Sequence, residues 1–277
     1  MAMTLNTDSA GTKNNEGILL REDHGSVALL TLNRPETRNA LSEELMSDLQ
    51  SQIDDISQFP PIRAVIIAAN GPVFCAGHDI RQLESRRSDT DGGKAYFEAR
   101  FTQSSMLMQS IIGCPKPVIA AVEGTATAAG CQLVATCDLA VAGEDVKFCT
   151  PGVHIGLFCS SPAVAIARNV GRKRAMEMLL LGEMISAKEA REFGLVNRVI
   201  PKAQVLEEAL NMANLIASKS LPVMAIGKQA FHEQFDPGLA KSYDRSTRAM
   251  VENMMLEDAR EGLGAFLEKR TPNWRDA

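Results

Sequence analysis

The segment RAVIIAANGPVFCAGHDI at residues 63–80 has a counterpart, KPVIAAVEGTATAAGCQL, at residues 116–133. Aligned without gaps, the two segments are identical at six of eighteen positions, and each begins with a basic residue. Each predicts the same local structure: a buried strand, a glycine turn, a short loop and an Ala-Gly pair that opens a helix. The match is too short to prove a duplication, but it predicts one strand–turn–helix unit that occurs twice. The identical pairs are Val65/Val118, Ile66/Ile119, Ala68/Ala121, Gly71/Gly124, Ala76/Ala129 and Gly77/Gly130.

The two Ala-Gly pairs predict a binding site for one oxygen atom. A helix N-terminus presents unpaired N–H donors and a partial positive charge, so the N–H groups of Ala76 and Ala129 are candidates to converge on a single oxygen. Two such preorganised donors form an oxyanion hole, and small residues such as Gly130 would let a ligand reach the backbone. An alternative is that both pairs only allow a helix to pack closely on a strand. A dinucleotide site is a weaker alternative, because residues 124–130, GTATAAG, do not match G-x-G-x-x-G.

Outside this repeat, the alternation of apolar runs and helical patterns predicts the α/β class. Residues 64–69 and 117–122 are short and fully apolar, which is typical of parallel strands that are covered on both faces. A long helix is predicted between them, at about 93–112. Upstream, residues 19–32 predict two strands around a turn, followed by a helix with apolar residues at four-residue spacing.

The strand pattern ends near residue 201, and only helical patterns follow. We therefore predict a boundary near residue 205, between an α/β core at 17–204 and a helical region at 205–277 that packs on the core or on a neighbouring subunit. Residues 1–16 are small and polar and predict a disordered tail. The C-terminal helices are predicted at 204–219, 222–231 and 236–268.

Composition and charge argue against several classes of function. The chain has 277 residues, 45% of them hydrophobic, which is enough for the packed core of one large domain. A net charge of -5 and a pI of about 5.5 argue against binding to nucleic acids or membrane surfaces. No apolar run reaches the roughly 18 residues of a membrane span, and the N-terminus has no signal- or transit-peptide pattern. A cytoplasmic protein is therefore expected.

The cysteines and histidines predict neither disulfides nor a metal site. The cysteines form no CxxC pair and lie mostly among apolar or small residues, so buried thiols in a reducing compartment are expected. The histidines are far apart and lack zinc spacing, so no metal is expected. The residues concerned are Cys75, Cys114, Cys131, Cys137, Cys149, Cys159, His24, His78, His154 and His232.

Five segments together resemble the crotonase family, also called the enoyl-CoA hydratase/isomerase family. The resemblance runs from about Gly17 to the C-terminus, and the segments are highly specific in combination. The runs at 126–142 and 150–162 resemble a mitochondrial branch of the family in particular, of which this chain would be a bacterial-type relative. The segments are LNRPETRNALS (32–42), FCAGHDI (74–80), KPVIAAVEGTATAAGCQLVATCDLAVA (116–142), GEMISAKEAREFGLVNRVIP (182–201) and EGLGAFLEKR (261–270).

The resemblance implies a crotonase-type core of repeated ββα units and a trimeric disc, often doubled to a hexamer. It also implies an acyl group on coenzyme A as the ligand, with no further cofactor. Ala76 and Ala129 fall at the family's two oxyanion-hole donors, and Ala129 replaces the usual glycine. His78 and Lys269 have simpler alternatives, as a surface histidine and a solvated lysine. The resemblance assigns Arg38 and Ala40 to the CoA path, Gly77, His78, Asp79 and Ile80 to the adenine and pantetheine, and Phe266 and Lys269 to CoA on a neighbouring subunit.

The chain departs from the family pattern at both catalytic carboxylates. Hydratases of this family use two glutamates to hold and activate water, but this chain has Gln132 at one position and Gly152 at the other. A glutamine can orient water but cannot take a proton at neutral pH. General acid/base catalysis commonly contributes roughly 10²–10⁴-fold, so ordinary hydratase activity is expected to be weak or absent.

Other residues near these positions are candidate bases or nucleophiles. His154 has a useful intrinsic pKa, the alternative being a packed or solvent-linked histidine. Cys159 and Ser160 lie in a loop where some relatives place a catalytic acid, but neither has an evident activating partner. Glu123 is more simply a surface or salt-bridged carboxylate, and Asp138 belongs to a motif that looks structural in relatives.

Three functional hypotheses follow. The first is an acyl-CoA enzyme that stabilises a thioester enolate with an atypical base, or with none. The second is a non-catalytic acyl-CoA-binding or regulatory protein, which the loss of both glutamates would suit. The third is an ordinary enoyl-CoA hydratase, as the overall resemblance suggests.

Overall fold

The computed structural model describes residues 17–235 and 237–277. The predicted disordered tail at 1–16 lies outside the described residues, and so does Asp236.

Strands and helices alternate along most of the chain, and the predicted α/β class is confirmed. The strands are β1 (Leu19–His24), β2 (Val27–Leu32), β3 (Ala64–Ala69), β4 (Val73–Cys75), β5 (Val118–Val122), β6 (Thr125–Thr127), β7 (Leu139–Gly143), β8 (Lys147–Cys149), β9 (Ile185–Ser186) and β10 (Arg198–Ile200). The α-helices are α1 (Glu43–Gln58), α2 (Ile80–Glu84), α3 (Lys94–Gly113), α4 (Ala129–Thr136), α5 (Ser160–Asn169), α6 (Arg172–Leu181), α7 (Ala187–Phe193), α8 (Val205–Ala217), α9 (Leu221–Glu233), α10 (Leu239–Met254) and α11 (Glu257–Glu268). Short 3-10 helices span Pro35–Thr37, Pro151–Ile155 and Lys202–Gln204.

The strands form two sheets. The larger has the order β1-β2-β3-β5-β7-β10, and all its neighbours run parallel except β1 and β2. The smaller has the order β4-β6-β8-β9, with β9 antiparallel to β8. In the pairs β3-β4, β5-β6 and β7-β8, the first strand joins the larger sheet and the second joins the smaller, and a helix follows each pair. This is the repeated ββα arrangement that the family resemblance implies.

The larger sheet is covered on both faces, as its apolar runs predict. Alternate side chains of β3 point to opposite faces. Val65 and Ile67 belong to a core cluster that also contains α1, α3 and α4, whereas Ile66 belongs to a second cluster with α8. The first helix after the predicted boundary near residue 205 is therefore part of the core. Its buried residues at four-residue spacing, Val205, Ala209, Ala213 and Ala217, lie against the sheet.

The structure corrects two predictions about helices. The helix predicted over 236–268 is broken at Met255 and Leu256, so that α10 and α11 are separate. In the first copy of the repeat, the Ala-Gly pair does not open a helix. Instead α2 begins at Ile80, and the Asp79 carboxylate caps it by accepting the backbone N–H groups of Arg81 and Gln82. Only the second pair opens a helix directly, at the start of α4.

The second Ala-Gly pair also fixes how closely α4 packs on β4. A Cβ at Gly130 would overlap the carbonyl oxygen of Cys75 and would lie 2.7 Å from its carbonyl carbon. The alternative interpretation of the repeat, close packing of a helix on a strand, therefore describes Gly130 correctly. It does not exclude a binding role for the N–H groups beside it.

We predict that Gly130→Ala lowers the free energy of unfolding by about 3 kcal/mol or more, because the new methyl group meets rigid backbone. The matched control is Gly227→Ala, in the middle of α9, where a Cβ meets no atom within 4 Å. That change should raise the free energy of unfolding by about 1 kcal/mol, since alanine is the better helix former. Denaturant unfolding of both variants measures this difference, and equal effects would contradict the packing described for α4.

Candidate active site

A short parallel ladder joins the loop after β2 to the loop after β4. The Ala76 N–H donates to the Arg38 carbonyl over 3.0 Å, and the Leu41 N–H donates to the Gly77 carbonyl over 2.8 Å. The Asp79 N–H donates to the Leu41 carbonyl over 3.3 Å. These bonds hold two of the predicted ligand-binding segments side by side.

The ladder changes the assignment of the first oxyanion-hole donor. The Ala76 N–H is already paired with Arg38, so it is not free to bind a ligand. Leu41 hydrogen-bonds to the residue before His78 through its N–H and to the residue after it through its carbonyl. In a parallel ladder the residue between those two partners has its own N–H on the opposite side, so the His78 N–H points away from the loop that contains Leu41. It donates to no described residue. The free donor on this segment is therefore His78, two residues after the predicted Ala76.

Ala129, the second candidate donor, lies at the start of α4. Ala129 is the first residue of the helix, and its N–H has no acceptor among the described residues. A Cβ at Gly77 would lie only 3.2 Å from the Ala129 nitrogen, so the two segments meet. The hydroxyl of Thr127 donates to the Ala76 carbonyl over 2.9 Å and connects them further. The N–H groups of His78 and Ala129 therefore belong to adjoining turns.

The alanine that replaces the family's usual glycine is not strained, but the alanine before it is. Ala129 is an ordinary helical residue, but Ala128 before it has φ 50° and ψ −119°. That conformation is typical of glycine and costs other residues of order 1–3 kcal/mol. The Ala128 N–H donates to the Cys149 carbonyl over 2.9 Å, which ties the strained residue to β8.

Gln132 and Gly152, which the resemblance assigns to the positions of the family's glutamates, are both buried. Gln132 is only 4% exposed, and its side-chain carbonyl oxygen has no hydrogen-bond donor in the described part of the chain. A Cβ at Gly152 would lie 2.8 Å from the Leu157 carbonyl oxygen and 2.9 Å from the Cys159 sulfur. The chain therefore closes over the space in which a side chain at 152 would begin.

The candidate replacement bases are poorly placed. His154 is exposed, and its ring lies against Gly182, the C-cap of α6. A Cβ built on Gly182 would lie 2.9 Å from the His154 Nε2. Burial raises the pKa of the Cys159 thiol, and the Ser160 hydroxyl is exposed and donates to the Phe158 carbonyl. Neither has an activating partner within the described residues.

The two candidate carboxylates differ in their surroundings. Glu123 is half-buried and makes no hydrogen bond or ion pair with a described residue. Asp138 accepts the Val118 N–H over 2.7 Å and pairs with Lys228 at 2.7 Å, while the His232 Nε2 lies 3.4 Å away. Asp138 therefore joins β5 to α9, which is the structural role expected of it.

All six cysteines are free and buried, as predicted. Three of them, Cys131, Cys149 and Cys159, lie near Gln132 and Gly152. After burial, the nearby thiols are a further cause that raises the pKa of Cys131 and of Cys149. Burial raises the pKa of the Cys149 thiol to about 11 and that of Cys131 higher still. Their sulfur atoms are therefore protonated at neutral pH.

The ring of His78 is held in an apolar contact. It packs edge-on against Phe101, with centroids 5.3 Å apart, and burial lowers its pKa from 6.5 to about 4. The ring is neutral at pH 7 and supplies no positive charge for a phosphate. A small groove beside the ring is lined by Ile80, Phe97, Phe101 and Leu157. Of these four residues, the sequence predicts only Ile80 as part of a binding site. The spacing of Phe97 and Phe101, one turn apart on α3, was the available signal.

The remaining predicted ligand residues are divided between this site and the C-terminus. Arg38 is exposed and has a left-handed backbone conformation, with φ 56°, and Ala40 two residues later is buried. Phe266 is 79% exposed at the end of α11, and Lys269 caps that helix at φ 56°. No contact in the structure brings these two residues to the site of their own chain.

Within residues 17–235 and 237–277, no His, Cys, Asp and Glu side chains form a group of three placed to hold a metal ion. No described helix is both long and apolar enough to cross a membrane.

Comparison with known proteins identifies the family. The Enoyl-CoA hydratase/isomerase family model matches residues 22–277. The chain belongs to this family. It is 46% identical to human "Enoyl-CoA hydratase domain-containing protein 3, mitochondrial" over 245 residues, which cover 88% of this chain and 79% of that protein. The predicted resemblance to a mitochondrial branch of the family is confirmed.

Solved structures of family members share the fold. A Mycobacterium smegmatis enoyl-CoA hydratase structure is 44% identical with a TM-score of 0.89, covering 94% of this chain and 99% of that one. The crystal structure of the human domain-containing protein 3 is also 44% identical, with a TM-score of 0.87 and coverage of 92% and 99%.

The predicted cytoplasmic location is wrong by these comparisons. It rested on the N-terminal residues, which lack arginine and carry Asp8. The human, rat and Dictyostelium discoideum relatives are all named as mitochondrial, although a bacterial structure is also among the similar ones.

We predict that Ala128→Gly raises the free energy of unfolding by about 1 kcal/mol, because glycine adopts the strained conformation freely. Ala129→Gly is the matched control and should lower it by a similar amount, since Ala129 is helical. Thermal or denaturant unfolding compares the two. Destabilisation by both changes would show that Ala128 is not strained.

We predict that His78 makes the folded state more stable above pH 6.5 than at pH 4. The folded-state pKa of about 4 lies below the unfolded value of 6.5, so the unfolded chain binds more protons in that interval. The free energy of unfolding therefore falls by about 2 kcal/mol as the pH falls from 6.5 to 4, with the partial exposure of the His78 ring taken into account. His78→Phe keeps the ring contact with Phe101 but does not titrate. Urea unfolding from pH 4 to 7 should show a smaller loss in the variant; parallel curves would contradict the assignment.

Proposed function

We propose that this chain binds an acyl-CoA thioester and stabilises the enolate form of its thioester group. The observation that carries the proposal is the meeting of two unpaired backbone donors, on His78 and Ala129, at adjoining turns. The names of the similar proteins supply the ligand class. Fixed donors aimed at one oxygen stabilise negative charge that develops there, and removing one typically costs about 3–4 kcal/mol in the transition state.

Enolate stabilisation suits several reactions of thioesters, including isomerisation and hydration. In isomerisation a proton leaves the carbon beside the thioester, whereas in hydration water adds to the β-carbon and the carbon beside the thioester then takes up a proton. Both routes pass through negative charge on the carbonyl oxygen, which two hydrogen bonds stabilise. Gln132 cannot take a proton at neutral pH, and the Gly152 position has no room for a carboxylate. The proposed activity is therefore of the enoyl-CoA hydratase/isomerase type, but with slow hydration of ordinary enoyl-CoAs.

The rest of the ligand is assigned to the segments around the two donors. Arg38 and Ala40 would line the CoA path. Gly77, His78, Asp79 and Ile80 would lie beside the adenine and pantetheine, with His78 contributing its backbone and a neutral ring. Gly130 would keep α4 close to the ligand. Coenzyme A enters only as part of the substrate, and no further cofactor or metal is proposed.

The C-terminal helices would complete the site in an oligomer. Exposed apolar side chains lie along α10 and α11, and Phe266 and Lys269 near the end of α11 are exposed as well. A homotrimer, or a dimer of trimers, would cover these surfaces and bring both residues to CoA on a neighbouring subunit. We propose no role in binding nucleic acids or membranes.

A non-catalytic acyl-CoA-binding or regulatory protein is the second candidate. It is favoured by the closed surroundings of Gly152, because they leave no space for the second carboxylate that water activation uses in this family. The two candidates share the same binding site and differ only in turnover.

We predict that Ala129→Pro weakens binding of butyryl-CoA about tenfold or more, because it removes one donor. Proline is accepted at the first position of a helix, so α4 should persist. Arg172→Pro is the matched control, since it makes the same change at the exposed first residue of α6. Calorimetry compares the two variants with the unchanged protein, and melting temperatures check that all three are folded. Equal affinities would contradict the proposed oxyanion hole.

A crotonyl-CoA hydration assay separates the candidate activities. We expect turnover 10²–10⁴-fold below the roughly 10 s⁻¹ typical of enzymes, since both carboxylates are absent. Turnover near 10 s⁻¹ would show that an ordinary hydratase mechanism operates without them. Tight binding with no turnover of any enoyl- or hydroxyacyl-CoA would favour the non-catalytic candidate.

A further inference from the structure

Residues 270–277, here called the returning segment, run back along α11 from its end to its first turn. Near the middle of the helix, Glu261 pairs with Arg270 at 2.6 Å. In the first turn, the buried Asp258 carboxylate accepts the backbone N–H of Arg275 over 2.7 Å and that of the next residue over 3.0 Å. The helix and the returning segment are therefore bound together as one unit.

The Asp276 carboxylate joins this unit to the rest of the chain. Both of its oxygens accept hydrogen bonds from the Arg63 guanidinium, and Oδ1 lies 3.0 Å from Nη2. Oδ1 also accepts the N–H of Leu221, the first residue of α9, over 2.9 Å. Arg63 directly precedes β3 and donates to the carbonyls of Ala217, over 2.7 Å, and Lys219. One carboxylate therefore connects the unit to β3, α8 and α9.

The position of α11 depends on this connection. Within residues 17–235 and 237–277, no other hydrogen bond or ion pair joins α11 or the returning segment to the α/β core, α8 or α9. Phe266 lies near the opposite end of α11 from Asp258 and is 79% exposed. A helix of 12 residues is about 18 Å long, so a rotation of about 10° at its first turn moves the far end by about 3 Å.

We propose that Asp276 is a positioning residue for acyl-CoA binding, which fixes α11 through Arg63 and α9 and so holds Phe266 and Lys269 in reach of CoA. The proposal rests on the proposed function, which assigns these two residues to CoA on a neighbouring subunit. Asp276 itself need not touch the ligand. The hydrogen bonds from Arg63 lower the pKa of Asp276, so the carboxylate is charged at neutral pH.

A purely structural ion pair would have a different effect on binding. Loss of a general stabilising contact would weaken every part of the site alike, whereas a displaced α11 would affect only the part of the ligand that lies beside it. Butyryl-N-acetylcysteamine has the same thioester as butyryl-CoA but lacks the nucleotide and most of the pantetheine. Comparison of these two ligands therefore separates a positioning role from a structural one.

The variant Asp276→Ala should bind butyryl-CoA about fivefold or more weakly than the unchanged protein. Its α11 would hold the binding position for only a fraction of the time, and the apparent affinity falls by that fraction. Its affinity for butyryl-N-acetylcysteamine should not change. Asp276→Asn keeps an acceptor for the Leu221 N–H and should lose less affinity for butyryl-CoA. Calorimetry measures the CoA ester, and a ligand-observed NMR titration measures the smaller thioester.

Asp23→Ala is the matched control. Asp23 also pairs with an arginine through both oxygens, at 2.9 and 3.0 Å from Arg21, and its side chain is 38% exposed against 36% for Asp276. Both members of the control pair lie on β1, two residues apart, so their ion pair connects no second element. This variant should bind both thioesters as the unchanged protein does.

Hydrogen exchange tests the positioning role without any ligand. In Asp276→Ala the amides of α11 should exchange about tenfold or more faster, because the unit opens locally, while those of β3 and β5 should keep their protection. Melting temperatures check that both variants are folded. Unchanged exchange in α11 would overturn the positioning role, whatever the affinities are.

The binding results distinguish this proposal from the one on which it rests. If the unchanged protein binds no butyryl-CoA, the proposed function fails, and the role of Asp276 in binding fails with it. If the unchanged protein binds butyryl-CoA but Asp276→Ala binds it equally well, or loses affinity for both thioesters by the same factor, the acyl-CoA site stands and the positioning role of Asp276 is overturned.

Discussion

The close approach of α4 to β4 is the constraint on which the site depends. Gly130 has no side chain, and for that reason the helix can lie directly against the Cys75 carbonyl. This contact brings the free N–H of Ala129 to the loop that follows β4, where the ladder with Leu41 turns the His78 N–H outward. The two donors are thus positioned by backbone and by the absence of one methyl group, and no functional side chain is needed to hold them.

Much of the fold follows from local pattern, whereas the first donor does not. The apolar runs in β3 and β5 and the leucine spacing of α1 are signals within a few residues, and they predict the strands, the helix and the parallel sheet. The identity of the free N–H depends on which neighbour each backbone group meets. Ala76 and His78 lie in one short loop, and only the pairing with residues 38–41 shows that the first is occupied and the second is free.

The surroundings of Gln132 and Gly152 also depend on distant residues. The family resemblance predicts that Gln132 and Gly152 replace carboxylates, but it does not predict that Leu157 and Cys159 close over the second position. The sequence likewise suggests that an alanine in place of glycine is tolerated at 129. The structure shows a helical Ala129, and it places the preceding Ala128 in a strained conformation that the sequence does not indicate. Such effects follow from how loops far apart in sequence come together, which periodicity and composition do not encode.

The three thiols beside Gln132 have a chemical consequence of their own. An α,β-unsaturated thioester is an electrophile that a cysteine thiolate attacks at its β-carbon. Burial raises the pKa of Cys131, Cys149 and Cys159, so at neutral pH these sulfur atoms hold their protons and are poor nucleophiles. The burial of these three sulfur atoms would therefore protect the chain from alkylation by an unsaturated thioester of the proposed ligand class.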